Sequence, residues 1–255
     1  MSSPATVRRF RAQETSLACP VRNDTPKFDR LARVYRWMEW LSFGPYLSRC
    51  RRAFLPQLRD ARRALVLGDG DGRFTAALLR RNTDVLVDAV DASPAMLQGL
   101  RRRTGLDVSR LQSEVRDLRE WSVKPAACYD LIVTHFFLDC LTTDEVFALA
   151  ERASSAATSN ARWVVSEFAV PDGPFGRWVA RPVVTFLYRS FGVLTGLQVR
   201  QLPDYSAALS TAGFSLEKER KWLLGLLVAQ VWRRKELQPA QDEGPPELSV
   251  TTGTT

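Results

Sequence analysis

The sequence predicts an α/β fold: a doubly wound, mostly parallel sheet with helices on both faces and an antiparallel hairpin at one end. Three observations carry this. Short apolar runs alternate with segments of helical period, the pattern of strands joined by crossover helices. A glycine-rich loop follows the first such run directly. The last two apolar runs are too close in sequence for a crossover helix between them, so they must pair antiparallel.

The elements follow in order. Residues 1–26 are rich in Ser, Thr, Arg and Pro without a sustained apolar period and read as an arm outside the domain. Phe28, Leu31, Tyr35, Met38 and Leu41 recur at helical spacing, and a second helix is expected from Leu47 to Arg59. Together residues 27–60 form a helical N-terminal cap. ALVLG (Ala64 to Gly68) suits a strand buried on both faces. A helix from Phe74 to Arg81 and a second strand, Val85 to Asp91, come next. Ser93-Pro94 is an N-cap with Pro at the first helical position, opening a helix to about Arg103.

Arg110–Val115 is a weaker third strand, Tyr129–His135 a fourth and Trp163–Phe168 a fifth, with a helix over Thr143–Ala156. Residues 171–196 read as a helical insertion carrying Phe175, Trp178, Phe186, Tyr188 and Phe191. Asp204–Thr211 is a helix stopped by Gly213. Strands over Ser215–Arg220 and Leu223–Val231 close the fold. Residues 27–236 therefore read as one domain, and 237–255 as a polar tail with too little apolar content to pack.

Composition narrows the classes. The 255 residues are 45% hydrophobic and 25% charged, which is ordinary globular usage. The longest apolar run, Leu223 to Trp232, falls short of the ~20 residues that span a bilayer. With no apolar core of a secretory signal near the N-terminus, a cytoplasmic protein is expected. Net charge is +8, with arginines spread along the chain rather than gathered in a tract. Four cysteines without a C-x-x-C pair and a single histidine argue against a metal site.

Gly68-Asp69-Gly70-Asp71-Gly72 is the sharpest chemical signal. Glycines let the chain turn tightly and let a ligand approach the main chain. A dinucleotide fingerprint wants G-x-G-x-x-G, but the third glycine arrives one residue early here. Two acids in the loop would also repel a diphosphate, which disfavours a nicotinamide-dependent oxidoreductase. Asp91, at the end of the second strand, can accept both hydroxyl protons of a ribose. Asp117, after the third, can accept from an exocyclic amine. Together these point to a nucleoside cofactor.

ALVLGDGDGRF, VDAVDASPAML, VRDL and YDLIVTHFFLDCL resemble, in order and spacing, the successive motifs of class I S-adenosylmethionine-dependent methyltransferases. FDRLARVYRWMEWLSFG resembles the segment preceding that core in the ubiquinone/menaquinone C-methyltransferase type. The resemblance implies a Rossmann-like sheet of seven strands with the last antiparallel, and S-adenosyl-L-methionine as cofactor. Gly68, Gly70 and Gly72, with Asp69 and Asp71, would face its methionine portion. Asp91 would hold the ribose and Asp117 with Leu118 the adenine; Ala92 and Met96 would also bind the cofactor, and Tyr35 would close over it. Many members carry an acid two residues before the first glycine; here that place is Val66, so Asp69 or Asp71 would meet the amino group or hold the loop.

Acceptor chemistry belongs beyond the carboxyl ends of the strands. His135 ends the fourth strand and is the only imidazole, either a base or acceptor-positioning group or a satisfied strand-end histidine. Glu167 near the end of the fifth strand and Asp139 are the other catalytic candidates. The aromatic insertion suggests a lid for an apolar, aromatic small-molecule acceptor. Its flanking arginines leave weak contact with a membrane surface open. An RNA methyltransferase and an inactive cofactor-binding protein are the alternatives. No RNA-binding module accompanies the domain, so nucleic acid is not favoured as partner, and oligomeric state is left open.

Overall fold

The computed structural model describes residues 45–124, 128–185 and 202–235. The expected arm, Tyr35 and its helical stripe, the second half of the insertion and the tail lie outside the described residues. Within them the elements are α1 (Tyr46–Arg51), β1 (Arg63–Leu67), α2 (Arg73–Arg81), β2 (Leu86–Asp91), α3 (Pro94–Thr104) and β3 (Leu111–Val115). They continue with β4 (Tyr129–His135), α4 (Thr143–Ser155), β5 (Ala157–Phe168), α5 (Tyr205–Thr211), β6 (Phe214–Trp222) and β7 (Leu227–Arg234). Residues 174–185 are also helical, with π-helical winding over Gly176–Ala180.

The described strands form one seven-stranded sheet in the order β3-β2-β1-β4-β5-β7-β6. β3, β2, β1, β4 and β5 pair in parallel, and β7 runs antiparallel between β5 and β6. Strand alternation divides β1 cleanly. Ala64 and Val66 face α1 and α2 in one core; Leu65 and Leu67 face α4 and α5 in the other. The order reverses at β1, so the crevice between the carboxyl ends of β1 and β4 is the topological switch point, where open α/β sheets bind ligands.

Two expected elements differ. The helix expected over Leu47–Arg59 stops at Arg51, and a 3₁₀ turn follows at Leu55–Gln57. Pro56 lacks an N–H and disfavours helical geometry at Leu55, so the helix cannot run through. The final strand begins at Leu227 rather than Leu223, because Leu223 and Leu224 adopt positive φ (52° and 55°) and form the hairpin turn. The other boundaries shift by one or two residues, apart from β5, which starts six residues early at Ala157, β7, which runs three residues past Val231 to Arg234, and the insertion helix, which starts at 174. Ser93 caps α3 by accepting from Met96 N, and Thr142 with Glu145 forms a reciprocal capping box on α4. No helix among the described residues is long and apolar enough to cross a membrane.

Candidate functional site

The loop from Gly68 to Gly72 leaves β1 at the switch point, with its three glycines at φ 68°, 58° and 75°. Each absent side chain has a different consequence. A Cβ on Gly68 would collide with the Phe137 ring, and one on Gly72 would lie 2.6 Å from Leu100 Cγ. Those two glycines are needed for packing. A Cβ on Gly70 would meet only Met96 Sδ, at 3.7 Å, so at Gly70 the loop's main chain is open to approach.

The two loop acids are both engaged within the protein. Asp69 Oδ2 accepts from Thr75 N (2.8 Å) and Thr75 Oγ1 (2.7 Å), capping the first turn of α2. Its Oδ1 is buried without a partner, and burial raises its pKa. Asp71 turns the other way: Arg103 on α3 donates Nη2 to its Oδ2 at 2.6 Å and Nε to its carbonyl at 3.0 Å. Arg73 lies 3.3 Å from Oδ1. Both acids therefore hold the loop. Val66 is packed in the core at 1% exposure, so no acid stands two residues before Gly68.

Asp91 ends β2 beneath this loop. Its Oδ2 accepts from Gly70 N (3.2 Å) and its Oδ1 from Ser93 N (2.9 Å), which leaves each oxygen further capacity to accept. Burial pushes its pKa up to about 6, against the pull of those two amide bonds. A nucleoside fits this arrangement: a carboxylate with a free lone pair on each oxygen, bonded to the N–H of the uncrowded Gly70. Ala92 follows Asp91, half-buried, and Met96 is one turn into α3.

Past β3, Asp117 is half-exposed and turned back on its own loop, accepting from Arg119 N at 2.9 Å and pairing with the Arg119 guanidinium. Leu118 is buried. Arg152 on α4 donates to the carbonyls of Leu118 (2.9 Å) and Arg119 (3.0 Å), fixing this second loop from behind. Neither Arg103 nor Arg152 stands out in the sequence, where both sit among 36 cationic residues. Only the helical spacing of Met96, Gly99, Leu100 and Arg103 marks the first.

The acceptor-side candidates occupy opposite faces of the sheet edge. His135 is 2% exposed and pairs in register with Ser166 on the α1–α2 face. It packs edge-on against Phe74 with ring centroids 4.5 Å apart. Neither ring nitrogen has a hydrogen-bond partner; burial and the Arg51 charge push its pKa well below 6.5, so the imidazole is neutral. Phe136 follows at φ 53°, a left-handed conformation that strains a residue with a Cβ. That bend turns the amides of Phe137 and Leu138 onto Glu167 Oε1, at 3.1 and 2.9 Å. Glu167 Oε2 is buried without a partner. Burial, and then the neighbouring Asp139, push the Glu167 pKa well above 4.5. Asp139 is itself buried, beside Cys140. Among the described residues no group of His, Cys, Asp and Glu is arranged to hold a metal ion.

Residues 64–160 match the model of the methyltransferase domain family. The match begins at β1 and ends within β5, so it spans the whole glycine loop, Asp91, Asp117 and the β4 bend. Trans-aconitate 2-methyltransferase of Rhodococcus jostii (strain RHA1) is 33% identical over 99 residues, 38% of this chain and 36% of that protein. Polyamine aminopropyltransferase 2 of Bacillus anthracis is 28% identical over 133 residues, 47% of this chain and 36% of that protein. The chain thus spans about a third of the length of these relatives. The N-methyltransferase NodS of Bradyrhizobium japonicum WM9, solved with S-adenosyl-L-homocysteine, superposes with a TM-score of 0.55. It is 16% identical, covering 74% of this chain and 88% of that one, and shares the fold. Within the matched residues the three loop glycines stand beside Asp91 at the end of β2, and Val66 occupies the place two residues before Gly68.

Proposed function

We propose that this chain is an S-adenosyl-L-methionine-dependent methyltransferase acting on a small metabolite. The observation that carries the reading is the uncrowded Gly70 with its N–H on the Asp91 carboxylate, at the switch point of a sheet with this strand order. The methyltransferase domain match over the same residues supports it.

In this reading Asp91 holds the ribose hydroxyls through the accepting capacity that Gly70 and Ser93 leave free. Gly70 lets the main chain approach the methionine portion, and Met96 borders it. Asp117 and Leu118 bound the adenine. Gly68, Gly72, Asp69 and Asp71 shape and hold the loop. The cofactor supplies a methyl group already activated by its sulfonium, so the protein's task is to align an acceptor and exclude water. Glu167 is the best-placed acceptor-side group, with one oxygen fixed by two amides and the other without a protein partner. His135, enclosed by Phe74 on the opposite face, is neutral and packs there; Asp139 tunes Glu167.

The aromatic insertion, of which Phe175 and Trp178 are described, supports an apolar or aromatic acceptor; Phe168 and Phe136, with ring centroids 5.1 Å apart, pack in the core on the α1–α2 face. The finer likeness to the ubiquinone/menaquinone C-methyltransferase type rests on residues 28–44, outside the described part of the chain. The test is calorimetric titration of the full chain with S-adenosylmethionine, S-adenosylhomocysteine and NAD. Saturable binding of the first two and none of the third is expected; tight NAD binding, or no binding of either adenosyl compound, overturns the reading.

A further inference from the structure

We propose that Arg103 is a positioning residue for the cofactor loop: by gripping Asp71 at two points it fixes the path of Gly70 over Asp91. The inference rests on the methyltransferase reading and assigns a role to a side chain outside the site itself.

A loop with three glycines in five residues has much conformational freedom to lose, so it presents a fixed main chain only if something else holds it. Asp69 ties the inner side of the loop to α2 through Thr75. The outer side has no strand neighbour, and there α3 does the holding. Met96, Gly99, Leu100 and Arg103 follow one helical face by their i, i+3, i+4, i+7 spacing, and that face lies along the loop. Met96 Sδ stands 3.7 Å from where a Gly70 Cβ would be, Leu100 closes on Gly72, and a Cβ on Gly99 would touch Asp71 Cβ at 3.5 Å. Arg103 ends the row. Its Nη2 donates to Asp71 Oδ2 at 2.6 Å and its Nε to the Asp71 carbonyl at 3.0 Å.

The two-point grip separates this contact from an ordinary surface ion pair. A single exposed pair contributes little, because the chains move and water screens them. Here one guanidinium holds both the side chain and the peptide of the same residue, which fixes the orientation of the Asp71–Gly72 peptide as well as its position. One peptide unit separates that peptide from the Asp69–Gly70 peptide, whose N–H donates to Asp91. A rotation of the Asp71 peptide is therefore transmitted to the amide that orients the ribose acid. Lysine could not replace arginine, since one ammonium lacks the planar fork.

The experiment compares wild type with Arg103→Ala, Asp71→Ala, the double variant, Arg103→Lys and the neighbouring Arg102→Ala as control. Two readouts are taken: S-adenosylhomocysteine affinity by calorimetry and amide hydrogen exchange of residues 70–72 in the free protein. Loss of Arg103 is expected to weaken binding about tenfold, the scale of one charge-assisted contact; Asp71→Ala, which keeps the main-chain contact, weakens it less, and the double variant is no worse than Arg103→Ala. Arg103→Lys is expected to behave as Arg103→Ala, and Arg102→Ala as wild type. Loop amides are expected to exchange faster in Arg103→Ala while those of β1 do not, which a global loss of stability would not produce. Unchanged loop exchange and affinity within twofold of wild type in Arg103→Ala overturn the positioning role. Failure of wild type to bind S-adenosylhomocysteine, with loop exchange still responding to Arg103→Ala, overturns the methyltransferase reading while leaving the grip on Asp71 standing.

Discussion

The Asp91 carboxylate accepts from Gly70 and Ser93 while burial pushes its pKa to about 6, so it meets two opposing demands. In the proposed role the ionised form is the stronger acceptor for two ribose hydroxyls; protonated, one of its oxygens becomes a donor. Adenosyl-ligand affinity is therefore expected to be constant above about pH 7 and to fall as pH drops through 6, measurable by titration with S-adenosylhomocysteine from pH 8 to pH 5. Asp91→Ala should weaken binding by about 1.5–3 kcal/mol, the scale of hydrogen bonds to a charged group, and should abolish that pH dependence. Affinity unchanged in a folded Asp91→Ala protein would remove this residue from the site. That Asp91 ends a strand beside the glycine loop was readable in the sequence, because the apolar run of the second strand closes on it. Asp69 and Asp71 were read as open to either of two roles. Sequence alone does not show where Thr75 and Arg103 stand in space, and those partners decide that both acids hold the loop.

Secondary-structure elements repeat this division between what is local and what is not. The caps of α3 and α4, the glycine stop after α5 and the buried strands β1, β2 and β4 follow from neighbours within a few residues, and the sequence marks them all. The β6–β7 turn was not legible. Leu223-Leu224 reads as strand, yet both residues take left-handed φ because β7 must lie between β5 and β6, pairing Phe168 with Leu227 and Trp222 with Leu227. Tertiary pairing overrides local preference there, and the turn carries the strain. Leu224 is 76% exposed, so little apolar contact offsets it. Leu224→Asn, a residue that tolerates the left-handed region, should raise stability by about 0.5–1 kcal/mol, seen as a higher thermal midpoint. A lower midpoint would mean that the leucine side chain is covered in the native protein. Arg152 offers the converse case on α4. Arg152→Ala releases the carbonyls of Leu118 and Arg119, and protease susceptibility confined to residues 116–120 is the expected result.

At the scale of the whole molecule, the sheet order places buried titratable groups of opposite sign sensitivity at one edge, and their balance shapes stability against pH. Asp91, Asp69 and Glu167 all have pKa values raised by burial in the folded state. For such acids the folded state binds more protons than the unfolded one, so their contribution is fully present below about pH 4 and is lost as pH rises. For Asp91 the loss is complete just above 6 and amounts to about 3 kcal/mol. His135 acts in the reverse sense, since its pKa is pushed well below 6.5. It is neutral in both states above about pH 7, but on acidification the unfolded chain takes up its proton first, and stability falls. The two slopes oppose each other between pH 4 and 6.5 and flatten the profile of the wild-type protein. Removing the imidazole should expose the carboxyl contribution. His135→Leu keeps a similar volume against Phe74 and deletes two buried polar atoms that lack partners, so at pH 7.5 its stability should equal or exceed that of wild type. Relative to wild type it should gain up to about 1.4 kcal/mol for each pH unit below 6.5, the slope of one proton. Urea unfolding of both proteins at pH 5, 6 and 7.5 measures this directly. Parallel profiles would mean that His135 titrates in the native state as it does in the unfolded chain, and would return it to the list of acid–base candidates facing the acceptor.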